Sequence, residues 1–153
     1  METTDITPLT PDEDTAWRAL TYVANHLVKT LGEDLADETS LSLSEYVVLV
    51  HLSEAADQRL RIGDLAEAVG LSPSRMSRLV DQMAIAGLVA KIHLEGDARC
   101  MFAAISESGL DGLKAAYPMQ LRNVRRRVFD HLSANEVKVL GRALEKVRSG
   151  LDL

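Results

Sequence analysis

The chain has 153 residues, 46% of them hydrophobic and 26% charged, with a formal net charge of -6 at pH 7. That length supports one domain, or a small one with helical extensions, and the single cysteine, Cys100, excludes an intramolecular disulfide framework, a zinc ribbon and an iron–sulfur cage. No apolar run nears the roughly 20 residues of a membrane-spanning helix and the N-terminus lacks a basic secretory start, so a cytoplasmic protein with no membrane partner is expected.

The acid is concentrated at one end. Residues 1–57 hold 2 basic and 12 acidic side chains, residues 58–105 hold 6 and 5, and residues 106–153 hold 9 and 6. Because salt screens charge beyond about 8–10 Å, the middle segment can present a positive face despite the negative total.

In chain order, Thr10-Pro11-Asp12-Glu13 combines an N-cap, a proline at the first helical position and a glutamate at N3, and predicts a long helix over 10–40. Leu20, Ala24, Leu27 and Leu31 alternate four and three apart, the spacing of one apolar face. Ser42-Leu43-Ser44-Glu45 is a second capping box, opening a helix whose Val47 to Val50 run is β-prone. Ile62, Leu65, Ala66 and Val69 form a short amphipathic helix that stops at Gly70, and Ser72-Pro73 restarts the chain. Met76, Leu79, Val80 and Met83 give the new helix a buried stripe, and Gly87 ends it. Two helices about a tight glycine turn make a helix-turn-helix.

Residues 88–94 and 99–105, around the polar tip Glu95-Gly96-Asp97-Ala98, predict a β-hairpin, which turns the three preceding helices into a winged helix. A further helix starts at Ser106-Glu107, and Pro118 is expected to kink or break it. Ser133-Ala134-Asn135-Glu136 is a third capping box, and the helix after it carries Val137, Leu140, Leu144, Val147 and Leu151 in a heptad-like seam. The fold class is therefore mainly α with a small β-hairpin wing. A winged helix-turn-helix over 42–105 is flanked by helical regions over 10–40 and 106–153 expected to dimerise, since so short a chain has little core to shield these apolar faces. Packing of the same seams within one chain is the alternative.

The second helix of the helix-turn-helix exposes Ser72, Ser74, Arg75, Ser77, Arg78 and Gln82 opposite its apolar stripe. Such a face suits the major groove of double-stranded DNA: arginine can bridge guanine O6 and N7, while hydroxyls and amides at the helix start hold phosphates. Arg75 and Arg78 are the candidate base readers; on a lone helix they would read as a solvated face. At the hairpin tip Asp97 can orient Arg99 for a minor groove, with a surface ion pair as the alternative. Lys91 and Arg61 are candidate phosphate contacts or solvated cations. The basic run Arg122, Arg125, Arg126 and Arg127 is expected to complement its helix C-terminus and to pair with N-terminal acids.

Several stretches resemble the winged-helix core of the MarR family of transcriptional regulators: Leu65 to Ser74, Ser77-Arg78-Leu79-Val80-Asp81, Gly87-Leu88-Val89, Asp97-Ala98-Arg99, and Ile105 to Gly109. The resemblance implies a triangular homodimer whose N- and C-terminal helices interlock, with recognition helices in successive major grooves of a pseudo-palindromic operator and wings in the minor groove. By it, Arg99 falls on the wing arginine and Ser72 to Arg78 on the recognition helix. Lys91 stands where the family often has arginine, and Tyr46 where tryptophan is frequent.

The resemblance also implies release of DNA by a small phenolic or other aromatic acid. Trp17, Arg18, Tyr22, His26, Tyr46 and His51 are the candidates for holding it; as core or interface residues they need no ligand. Cys100 is a candidate redox sensor if His93 lies across the hairpin from it, or a packed strand cysteine. The expected function is a sequence-specific DNA-binding regulator, a repressor; a winged-helix module that binds protein and no DNA is the alternative. No enzyme, cofactor or metal is implied, since phosphate loops, nucleophile elbows and paired metal histidines are lacking.

Overall fold

A computed structural model describes residues 6–93 and 101–151. The described residues form α1 (Pro11–Glu38), α2 (Leu43–Glu54), β1 (Arg59–Arg61), α3 (Ile62–Val69), α4 (Pro73–Ile85), β2 (Val89–His93), β3 (Met101–Ile105), α5 (Glu107–Arg127) and α6 (Ala134–Ser149). Single 3-10 turns lie at Ala56–Gln58 and Phe129–His131. No described helix is long and apolar enough to cross a membrane.

Local chemistry sets the helix starts. All three capping boxes form: the side chains of Thr10, Ser42 and Ser133 accept from the amide three residues on, and Glu13, Glu45 and Glu136 each accept the cap amide at 2.8 Å. The helix stops at Gly70 and Gly87 are equally specific. Gly70 takes φ 71° and Gly87 φ 75°, and behind each the next amide reaches back across the turn, Leu71 N to the Ala66 carbonyl and Leu88 N to the Met83 carbonyl, both at 2.9 Å. These are Schellman closures, which need the left-handed backbone that glycine adopts without a Cβ penalty.

The core gathers Leu35 of α1, Val48, Leu49 and Leu52 of α2, Leu65 of α3, Met76, Val80 and Met83 of α4, and Ala103 of β3, each fully buried. Leu113 and Ala116 of α5 close it from the far side. Leu79, expected in the α4 stripe, is half-buried.

Three expectations are corrected. The hairpin is part of a three-stranded sheet in the order β1-β3-β2, with Leu60 of β1 opposite Ala103. β1 is only Arg-Leu-Arg, too short to display an alternating period. Secondly, β2 and β3 pair so that Lys91 faces Ala103 and His93 faces Met101. The core side chains Val89 and Ala103 fix this register, so His93 has Met101 and not Cys100 as its partner; Cys100 itself lies outside the described residues, as do the predicted tip and Leu94. Thirdly, Pro118 does not break α5, which runs unbroken from Glu107 to Arg127. The proline ring sits on the exposed side, so its missing donor is lost next to solvent while Leu113, Ala116 and Gln120 hold the opposite side in the protein.

The start of α5 is stitched to the helix-turn-helix. Ser106 donates its amide to the Leu88 carbonyl at 3.1 Å and its hydroxyl to the Gly87 carbonyl at 2.6 Å, while accepting from Gly109 N at 3.0 Å. The end of α5 is clamped to α1. Arg127 makes a two-pronged contact with Asp34 at 2.7 and 2.8 Å, Arg126 reaches the same carboxylate at 3.2 Å, and Arg122 meets Glu38 at 2.6 Å. This is the pairing with N-terminal acids expected of the basic run, here within one chain. The Arg127 hydrogen bonds hold the Asp34 carboxyl below its ordinary range against the opposing effect of burial.

Other apolar faces stay uncovered. α6 has no buried residue; Leu140, Leu144 and Val147 are exposed along its seam, as are Trp17, Leu20, Tyr22, Val23 and Val28 on α1.

Candidate nucleic-acid interface

α4 is presented by a cap and a stripe. Ser72 N-caps it, its hydroxyl accepting from Arg75 N at 3.4 Å, and Pro73 supplies the pre-set first helical residue. With Met76, Val80 and Met83 fully buried, the helix periodicity turns Ser74, Arg75, Arg78 and Gln82 out to solvent, and leaves Ser77 half-buried beside them. Arg78 lies back along its own helix, Nε donating to the Ser74 carbonyl at 3.3 Å, and Ser72 and Ser74 exchange a hydroxyl contact at 3.3 Å. Among the described residues, neither Arg75 nor Arg78 has a carboxylate partner.

Lys91 is otherwise engaged. Its ammonium on β2 forms an ion pair with Asp81 on α4, and its side chain is about three-quarters buried. It thus ties the hairpin to the exposed helix. Arg61, exposed at the end of β1, lies over the Phe102 ring with 5.6 Å to the centroid, and Arg59 lies at 5.9 Å from the same ring. Arg59 was not singled out from sequence; its i, i+2 spacing from Arg61 on a strand is the signal. Asp97 and Arg99 lie outside the described residues.

The six side chains predicted to hold a small molecule are not brought together in the protomer. Trp17 is 57% exposed on α1, Arg18 pairs with Asp14 at 2.7 Å on the surface, and Tyr22 stacks on His26 with ring centroids 4.1 Å apart. His51 is half-buried on α2. Only Tyr46 among them lines a groove of about 280 Å³ between α2 and α5, where it meets Val50 of its own helix and Tyr117, Gln120, Leu121 and Val124 of α5. Burial pushes the Tyr46 phenol above its ordinary range, and the neighbouring Tyr117 adds to the shift. Sequence reasoning missed Tyr117 and Gln120, although Leu113, Ala116, Gln120 and Asn123 follow 3, 4 and 3 apart, the spacing of a buried helix face. Among the described residues no group of three or more His, Cys, Asp or Glu is placed to hold a metal ion.

A helix-turn-helix backed by a three-stranded sheet, with an uncovered basic helix face and long flanking helices, defines a winged-helix nucleic-acid-binding protein. Comparison with known proteins gives the family. The MarR family model matches residues 41–101. The crystal structure of AbsC, a MarR family transcriptional regulator from Streptomyces coelicolor, superposes with a TM-score of 0.87 at 34% identity, over 96% of this chain and 99% of that one. Sco3205, a MarR family regulator of the same organism solved in complex with DNA, gives a TM-score of 0.88 at 30% identity, over 95% of this chain and 92% of that one. The transcriptional repressor MprA of Escherichia coli is 23% identical over 136 residues, 87% of this chain and 77% of that protein. The chain belongs to the MarR family of winged-helix, DNA-binding transcriptional regulators.

Proposed function

We propose that this protein is a homodimeric repressor that reads a pseudo-palindromic operator and is released by a small molecule. The observation that carries the reading is the outer face of α4, where Arg75 and Arg78 stand without carboxylate partners among the described residues on a helix whose other side is locked into the core. Ser72 and Ser74 at the helix start suit phosphate oxygens, Arg75, Arg78 and Gln82 suit base edges, and Ser77 supports them. Arg61 fits a backbone contact, and Lys91 acts through Asp81 to set the hairpin against α4. Arg99, preceded by Asp97, is the minor-groove reader by resemblance. The DNA complex of Sco3205 supports a duplex as the partner. The uncovered faces of α1 and α6 support a second copy, because three leucine and valine positions of one seam are otherwise left in water.

The dimer sets the operator. Two equivalent recognition helices demand half-sites about 10 bp apart, or a multiple of it, related by a two-fold axis. A ligand releases DNA only by preferring a dimer in which that separation differs. The test is selection of bound duplexes from a random pool, followed by titration of the consensus. A two-fold-symmetric consensus is expected, with Arg78→Ala weakening it and blurring one position, and with affinity falling steeply as salt rises. Equal, salt-independent retention of all duplexes by wild type and Arg78→Ala would refute the reading.

A further inference from the structure

We propose that the groove between α2 and α5 takes a small uncharged aromatic molecule bearing a hydrogen-bond donor, a neutral phenol being the simplest, and rejects aromatic carboxylates of the same shape. The inference rests on the regulator reading only for the effect of that ligand on DNA; the chemistry of the site stands on the groove itself.

Gln120 carries the argument. It is 6% exposed, it lines the groove, and its Oε1 has no hydrogen-bond partner among the described residues. A dry, unpaired acceptor is unfavourable, and an incoming donor removes that penalty, so the ligand gains more here than the same contact would give in water. The rest of the wall is aliphatic or aromatic, with Val50 and Tyr46 facing Leu121 and Tyr117. A volume of about 280 Å³ suits one substituted ring.

Charge decides the class. None of the described residues that line the groove is Lys, Arg or His, and the α5 cations nearby in sequence, Arg122, Arg126 and Arg127, are already committed to Glu38 and Asp34. A carboxylate placed here would lose its hydration with no opposite charge to replace it. The same environment already disfavours ionisation of the protein's own phenol at Tyr46. This departs from the aromatic acid expected from sequence, whose cation was to come from Arg18. That guanidinium is on the α1 surface with Asp14.

Three probes of near-equal shape test the site on the full chain without DNA, by isothermal titration calorimetry at pH 7. They are 4-tert-butylphenol, which donates, 4-tert-butylanisole, which accepts only, and 4-tert-butylbenzoate, which is an anion. The phenol is expected to bind about tenfold more tightly than the anisole, the factor of one net hydrogen bond, and the benzoate to show no saturable binding. Gln120→Met should erase the difference between phenol and anisole. A benzoate that binds as well as the phenol, an anisole that matches it, a phenol preference that survives Gln120→Met, or no binding by any probe because a second copy fills the groove would each overturn the proposal. The ranking of probes on the wild-type chain needs no variant to fold. Phenol binding by a protein that retains no duplex would support this site while refuting the regulator reading.

Discussion

Replacing Gly109 by alanine is expected to destabilise the chain by about 2–4 kcal/mol, although alanine is the better helix former. A Cβ built at Gly109 meets the Leu88 carbonyl oxygen at 2.1 Å, the Ile105 side chain at 3.0 Å and Leu49 at 3.1 Å. The first of these is roughly 1 Å or more short of van der Waals contact, and the obstructing atom is backbone, which has no rotamer to escape into. Relief requires α5 to lift from the Gly87–Leu88 turn, stretching the two hydrogen bonds that Ser106 donates there. Each is worth about 1 kcal/mol net, and overpacking adds about 1–3 kcal/mol, against which the helix propensity of alanine returns up to about 1 kcal/mol. For a chain of this length that lowers Tm by about 5–15 °C. Gly112 is the control, because a Cβ there finds only Leu41 at 3.9 Å, so Gly112→Ala is expected to stabilise by about 0.5–1 kcal/mol. Urea and thermal unfolding followed by circular dichroism measure both. If Gly109→Ala matched wild type within about 0.5 kcal/mol, the close approach of α5 to the turn would not exist.

Gly70→Ala is expected to cost about 1–2 kcal/mol by urea titration, through backbone strain alone, since its φ is 71° and no atom lies within 4 Å of an added Cβ. Asp34 has its pKa lowered in the folded chain, so its contribution is present above the unfolded carboxylate range, near pH 4, and is lost as pH falls through the lower folded value. Asp34→Asn should therefore flatten the fall in urea midpoint between pH 5 and pH 2; an unchanged slope would show that the Arg127 contact contributes nothing. Leu144→Glu puts a charge into the α6 seam and should shift the sedimentation coefficient from dimer to monomer at micromolar concentration. Wild type sedimenting as a monomer would refute the two-copy arrangement.

Legibility followed the range of the interactions. The caps at Thr10, Ser42, Ser133 and Ser72 and the stops at Gly70 and Gly87 depend on residues within five positions of one another, and they form where the sequence places them. The basic run at the end of α5 pairs with Asp34 and Glu38 because charge asymmetry along the chain is itself a long-range signal. What failed depends on context that no local window holds. Pro118 reads as a break until one knows which side of α5 is wet. The one-residue register of β2 against β3 follows from burying Ala103, and β1 exists only because β3 has a free edge. Aromatic identity drew attention to Trp17 and Tyr22, which are exposed in the protomer, and away from Gln120, whose polar type hides its burial.

α5 fastens the DNA-reading half at one end and α1 at the other, with its residues Glu107–Arg127 in a single stretch of about 31 Å. It behaves as a stiff crowbar with the α2 contact as fulcrum. A tilt of about 5° along such a length carries one tip through roughly 2.7 Å, close to half the rise of a helical turn. A guest wedged at the fulcrum would therefore be felt as ångström-scale travel of the paired reading heads, and an operator tolerates little error in their separation.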